Sequence, residues 1–293
     1  MSRTTIRNLL CWFLVLNLLL IGYGVSHRTK RSQLIVTFLD VGQGDAAVIE
    51  SPGGRVVLID TGGISSAGAQ DEGRLVVEPF LRREGVNHID AMLLTHPHAD
   101  HIGGADTLIN DFSTDLVMDN GEPTEPPLEE KLLSDARSHH DAYRPALRGE
   151  QIDFGDGVRA ELLAPTAVEV ANDVPNNSSI VVRLTYGHNV FLFTGDAEAP
   201  EEADMLASRL GLKCDVLKVG HHGSNTSSTM AFLAAAQPST AVVSVGAHNR
   251  YGHPGAAVIA RLKKIGAHVY RTDQNGAITC ESDGEKVIVH SMR

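Results

Sequence analysis

The chain begins with one unbroken apolar run and then breaks into short segments whose polar and apolar positions alternate with period two or recur at helical spacing. Leu9 to Val25 is apolar apart from Asn17, with Arg3 and Arg7 before it and Arg28, Lys30 and Arg31 after it. At about 17 residues it falls between a long signal-peptide core and a short membrane span. Gly22, Gly24 and Ser26 offer small residues for cleavage, and basic residues on both sides leave the orientation open. We therefore expect residues 1–32 to be an export signal or membrane anchor with a basic linker. Residues 33–293 would then be the folded part, lying outside the cytoplasm.

Beyond the linker, Leu34–Leu39, Ala46–Glu50 and Val56–Ile59 read as strands of an antiparallel meander, separated by turns at Gly42–Asp45 and Pro52–Gly54. Arg74–Arg83 has helical spacing, and Ile89–Leu94 is a buried apolar strand ending at Thr95. Asp115–Met118 reads as a strand and Leu128–Ala142 as a polar helix. Further strands are expected at Arg159–Leu163, Ser179–Leu184, Val190–Phe193, Asp215–Val219 and Ala241–Val245, and helices at Ala199–Leu210, Met230–Ala236 and Ala256–Ile265, before terminal strands. Hairpins mixed with strand-helix units in both halves predict an α/β fold, two sheets packed face to face with helices outside: a four-layer αββα sandwich. No linker long enough to divide the folded part is evident, and 293 residues are compatible with one large core.

Composition narrows the function. With 42% hydrophobic and 21% charged residues the chain is an ordinary globular one. A net charge of -11 argues against holding nucleic acid on a broad basic surface. It leaves a nuclease open, because bound divalent ions supply positive charge locally. Cys11, Cys214 and Cys280 are too few and too scattered for a disulfide framework, and the last two read as small buried apolar residues.

The chemistry concentrates after one strand. His96, His98, Asp100 and His101 lie within six residues on a loop, and imidazole with carboxylate is the ligand set of zinc and related metals. Four such groups together without a cation would be desolvated and uncompensated. Phe191–Phe193 runs into Thr194, Gly195 and Asp196, and Leu217–Val219 into Gly220, His221, His222 and Gly223, so two more strands deliver candidate ligands at their ends. His139 and His140 with Asp135 and Asp141 read instead as a solvated helix face.

In order along the chain, FLDVGQGDAAVI, VLIDTGG, LLTHPHADHIGG, NNSSIVVRL, FLFTGDAE, LKVGHHGS and NRYGHP resemble the metallo-β-lactamase superfamily. More narrowly they are similar to the hydrolase domain of ComEC-type DNA-uptake proteins and its stand-alone relatives. The resemblance implies two divalent ions, zinc or manganese: His96 and His98 on the first, Asp100 and His101 on the second, Asp196 bridging both. The last ligand would be His221 or His222. Asp60 would support the site through hydrogen bonds. Asn176, Asn177 and Ser178 stand where many members carry a third histidine for the first ion. The resemblance further implies a bridging hydroxide that attacks a phosphodiester, with Asp100 and His253 as catalytic groups and Asn177 and Ser178 on phosphate oxygens. The expected substrate is a phosphodiester, DNA among them. Alternatives are a cell-envelope or small phosphodiester, or a metal-binding partner protein without turnover. The membrane is a further partner if the leader stays uncleaved.

Overall fold

The computed structural model describes residues 32–64, 70–122, 142–171 and 175–293. The apolar run Leu9–Val25 and the predicted helix with His139 and His140 lie outside these, except that Ala142 begins a strand instead of ending a helix. Among the described residues no helix is long and apolar enough to cross a membrane.

The strands are β1 (Leu34–Phe38), β2 (Ala47–Glu50), β3 (Val56–Ile59), β4 (His88–Ile89), β5 (Ala91–Leu93), β6 (Ser113–Thr114), β7 (Leu116–Asp119) and β8 (Ala142–Pro145). There follow β9 (Gln151–Asp153), β10 (Val158–Ala164), β11 (Val181–Tyr186), β12 (Asn189–Phe193), β13 (Val216–Lys218), β14 (Thr240–Val243), β15 (His268–Arg271), β16 (Ile278–Ser282) and β17 (Val287–Ser291). One sheet has the order β17-β16-β1-β2-β3-β5-β7-β8 and the other β15-β14-β13-β12-β11-β10-β9. The strands β1, β2 and β3 form the expected antiparallel meander, and β3, β5, β7 and β8 continue it in parallel.

Side-chain alternation builds the layers. On β3, Val57 and Ile59 face the other sheet, where they meet Phe191, Phe193 and Val182, and Phe38 packs on Phe193 with ring centroids 5.6 Å apart. Val56 and Leu58 face the opposite way and pack on Phe80, Leu81, Leu108 and Ile109. On the second sheet, Leu192, Leu217 and Val243 carry Met205, Phe232, Leu233 and Leu262. Three separate apolar seams are what two sheets between two helical layers require, which is the αββα sandwich.

Several elements differ from the sequence expectation at their ends. The helix after β3 starts with a wide turn, Gly73–Val77, before regular helix Glu78–Arg83, and Gly73 at its start lies against the backbone of Gly104 with no room for a Cβ. The helix from Ala199 stops at Ala207, since Arg209 takes a left-handed conformation. Strands β8 and β9 carry mostly exposed side chains and so lack the apolar alternation that marks a strand. Cys214 and Cys280 are buried and free, with their thiols pushed up by burial.

Candidate metal centre

Four strand ends meet at one edge of the sandwich. After β5, residues Leu94 and Thr95 lead into the short helix Ala99–Ile102, which carries Asp100 and His101. The β1–β2 loop lies directly on this helix: Asp45 N donates to Asp100 O at 3.2 Å, and a Cβ at Gly44 would run into that same carbonyl. From the second sheet, β12 delivers Asp196, and β13 delivers His221 and His222. Those two histidines occupy consecutive left-handed positions, φ 50° and 52°, a costly backbone that turns the rings to different sides.

The hydrogen bonds sort the imidazole nitrogens. Asp60, itself at φ 59°, accepts from Thr95 N at 2.7 Å and from Thr95 Oγ1 at 2.8 Å. Having given its proton to Asp60, Thr95 Oγ1 accepts from His96 Nδ1 at 3.1 Å. His101 Nδ1 donates to Asp60 Oδ2 at 2.8 Å, and His222 Nδ1 to the Ser244 carbonyl at 3.0 Å. All three rings are therefore held by Nδ1 and turn Nε2 toward Asp196, at 3.9 Å for His96, 3.3 Å for His101 and 3.7 Å for His222. Such a held ring fixes the tautomer and the direction of the other nitrogen.

The centre accordingly fits divalent cations. His101 Nε2, His222 Nε2 and Asp196 Oδ1 are buried with no hydrogen-bond partner, an arrangement that is costly unless something else takes up their lone pairs. Among the described residues, groups of candidate ligand atoms within 4.8 Å of one another include His96, His98 and Asp196, and Asp100, His101 and His222, while Asp45 groups with Asp60 and His101 and with Asp196 and His222. Burial alone would lower His222, but the Asp196 and Asp45 carboxylates reverse this and raise it to about 10. His101 is raised in the same way by Asp196 and Asp60. Burial and the neighbouring His101 push His96 well down. Acids and imidazoles that compensate one another's charge in this way are poised for exchange with a cation.

Of the two alternatives left by the sequence, His222 stands with Asp100 Oδ2 at 3.3 Å and with His101. His221 has Nδ1 on Glu198 Oε1 at 3.1 Å and brings its Nε2 to 3.6 Å from Asp196 Oδ2, so it also reaches the centre, but without joining Asp100 and His101. A cavity of about 320 Å³ opens over the centre, bordered by His98, Asp100, Asp196, His221, His222 and His253. Asn177 and Ser178, expected on phosphate oxygens, are not on its wall. Ser178 is fully buried with its hydroxyl donating to Glu122 Oε2 at 2.7 Å, and Asn177 Nδ2 reaches Glu198 at 3.5 Å.

Three groups carry roles that the motifs did not announce. Asp45 is buried with Oδ2 2.5 Å from Lys218 Nζ and Oδ1 3.4 Å from His222 Nδ1. Lys218 is itself only 4% exposed. A lysine inside the apolar strand Val216–Lys218 was the available signal, since a buried cation implies a buried acid. Glu198 collects Asn176, Asn177, His221 and Thr226 on one carboxylate.

Residues 39–248 match the metallo-β-lactamase superfamily. The chain is 38% identical over 254 residues to ComE operon protein 3 of Bacillus subtilis, covering 83% of this chain and 32% of that protein. It is 33% identical over 258 residues to Recombination protein 2 of Haemophilus influenzae, covering 88% and 30%. The chain thus spans about a third of the length of these curated relatives. In fold it is similar to CmlA, a diiron β-hydroxylase from Streptomyces venezuelae, with a TM-score of 0.55 at 14% identity over 84% of this chain and 53% of that one. The layered sheets, the ligand types converging at their edge and the family match agree: the chain belongs to the metallo-β-lactamase superfamily of metal-dependent hydrolases.

Proposed function

We propose that this chain is a phosphodiesterase acting on DNA, carrying two divalent ions, zinc or manganese. His96, His98 and Asp196 would hold one ion and Asp100, His101 and His222 the other, with Asp196 shared. Ions bound there supply Lewis acidity and a water of lowered pKa. The chain's own residues do the rest. Asp60 and the Ser244 carbonyl keep His101 and His222 aimed inward, and Asp100 reaches the cavity from the same helix as His101. His253, on the cavity wall and lowered by burial and then by His221 and His222, offers a neutral imidazole as hydrogen-bond donor to a phosphate oxygen.

The observation that carries this reading is the convergence of unpartnered, buried Nε2 and carboxylate atoms beneath an open cavity. Support for DNA comes from a relative named for recombination, a process that acts on DNA. We also propose, from the apolar run alone, that Leu9–Val25 exports the protein or anchors it, leaving the centre outside the cytoplasm. The test is metal content of the fragment from Gln33, then turnover of bis(p-nitrophenyl) phosphate and single-stranded DNA with added zinc or manganese. Turnover of both that is lost in Asp196→Ala is expected. Unchanged turnover in that variant would refute the proposed centre, and turnover of the small ester without DNA would move the substrate to a small or cell-envelope phosphodiester.

A further inference from the structure

Beside the metal centre the wall of the cavity is made by one loop, and its most exposed apolar group points outward. Tyr251 is 54% exposed and borders both the cavity over the centre and a neighbouring cleft of about 850 Å³. Its ring stacks on His253, with centroids 5.7 Å apart and planes 24° from parallel. The Arg250 guanidinium also lies 5.0 Å from the ring centroid, its Nη2 donating to the Tyr251 hydroxyl at 2.8 Å.

The backbone of the loop that carries this ring is tied down. Asn249 Nδ2 donates to Gly246 O at 2.9 Å and to His253 O at 2.7 Å, while its Oδ1 accepts from Tyr251 N at 3.2 Å and His253 N at 3.0 Å. Gly246 N is held by Gln43 Oε1 at 3.2 Å, and Gly255 N by Gly223 O at 2.8 Å. One asparagine thus spends its whole side chain fixing a loop whose product is an aromatic ring in solvent. An exposed aromatic held rigidly at the mouth of a cavity is a surface awaiting a flat partner.

Charge narrows what that partner is. Among the described residues lining the two cavities, Arg250 is the one lysine or arginine, against Glu72, Asp100 and Asp196. A long phosphate backbone finds no basic track here, whereas a planar base needs none, because every base offers a π face to tyrosine or guanidinium. We infer that Arg250, Tyr251 and His253 form a stacking subsite for one nucleobase next to the scissile phosphodiester, with the remaining N–H groups of Arg250, beyond the one on the Tyr251 hydroxyl, meeting the adjoining phosphate. The inference rests on the phosphodiesterase reading and adds to it the group that recognises a nucleoside, so that single-stranded substrate, whose bases are unpaired, is the form the site accepts.

The test compares a fluorescein-labelled thymidine octamer with an abasic tetrahydrofuran octamer of the same phosphate count. Fluorescence anisotropy is read on protein stripped with a chelator so that no strand is consumed. The native protein should prefer the thymidine strand about tenfold, Tyr251→Phe should keep that preference and Tyr251→Ala should erase it. Equal affinity of the native protein for both strands, binding of neither, or a preference that survives Tyr251→Ala would overturn the subsite. Turnover of methyl p-nitrophenyl phosphate by the zinc-loaded native protein is measured alongside. That ester has no base, so its failure to react counts against the phosphodiesterase reading and not against the base preference.

Discussion

Replacing Lys218 by Met removes the cation nearest Asp45 among the described residues, leaving the His222 ring 3.4 Å from the other carboxylate oxygen. Lys218 Nζ lies 2.5 Å from Asp45 Oδ2 and 3.0 Å from the Val219 carbonyl, and both side chains are almost sealed from solvent, at 4% and 7% exposed. Burial alone would raise Asp45, but Lys218 and then His222 hold it down, from 3.8 to about 2. A carboxyl shifted down by that amount contributes roughly 2 kcal/mol of stability, present above about pH 4 and lost as the pH falls through about 2. Removing the lysine costs more than this, because the buried acid loses its nearest counter-charge and keeps only the more distant His222 ring; breaking a buried pair from one side costs about 3–5 kcal/mol. For a chain of this size each kcal/mol lowers Tm by roughly 2–4 °C, so Lys218→Met should melt on the order of 10 °C lower at pH 7. The assay is scanning calorimetry on metal-stripped protein, with Lys218→Met, Asp45→Asn and the double variant forming a cycle. The double variant should be clearly more stable than the sum of the single losses predicts, since no charge is left stranded. A loss below about 1 kcal/mol in Lys218→Met, or strict additivity in the cycle, would refute the argument.

Two further outcomes are expected. In the metal-free protein His222 is raised to about 10, so its ring is charged at pH 7 and must give up a proton to bind a cation, and His101 is raised in the same direction by Asp196 and Asp60. Titration calorimetry of zinc uptake in two buffers of different ionisation enthalpy should show proton release and an affinity that rises with pH; no release would contradict the arrangement. Asp60→Asn removes the carboxylate that receives His101 Nδ1 and Thr95, and should weaken metal binding about 10–100-fold. Competition with a chromogenic chelator measures this, and native affinity in the variant would show that Asp60 does not orient the ring.

The four-layer fold and the main ligand cluster were legible from the sequence because their signals are local. Period-two alternation such as Val56 to Ile59 sends neighbouring side chains into different seams whatever the partner, and His96, His98, Asp100 and His101 lie within six residues, so chemistry and chain proximity coincide. Strand ends at Asp196 and at Gly220–Gly223 were readable for the same reason. Tertiary structure alone shows that of two adjacent histidines His222 stands with Asp100 and His101, while His221 has Nδ1 on Glu198 and Nε2 near Asp196, a difference made by two consecutive left-handed residues that local spacing does not encode. It decided that Ser178 faces Glu122 and not the cavity, that Lys218 on one sheet neutralises Asp45 on the other, and that Asn249 holds Tyr251 in the open. Each of these depends on groups far apart in the chain meeting across packed layers, and no pattern along one strand encodes where its partner's charge will stand.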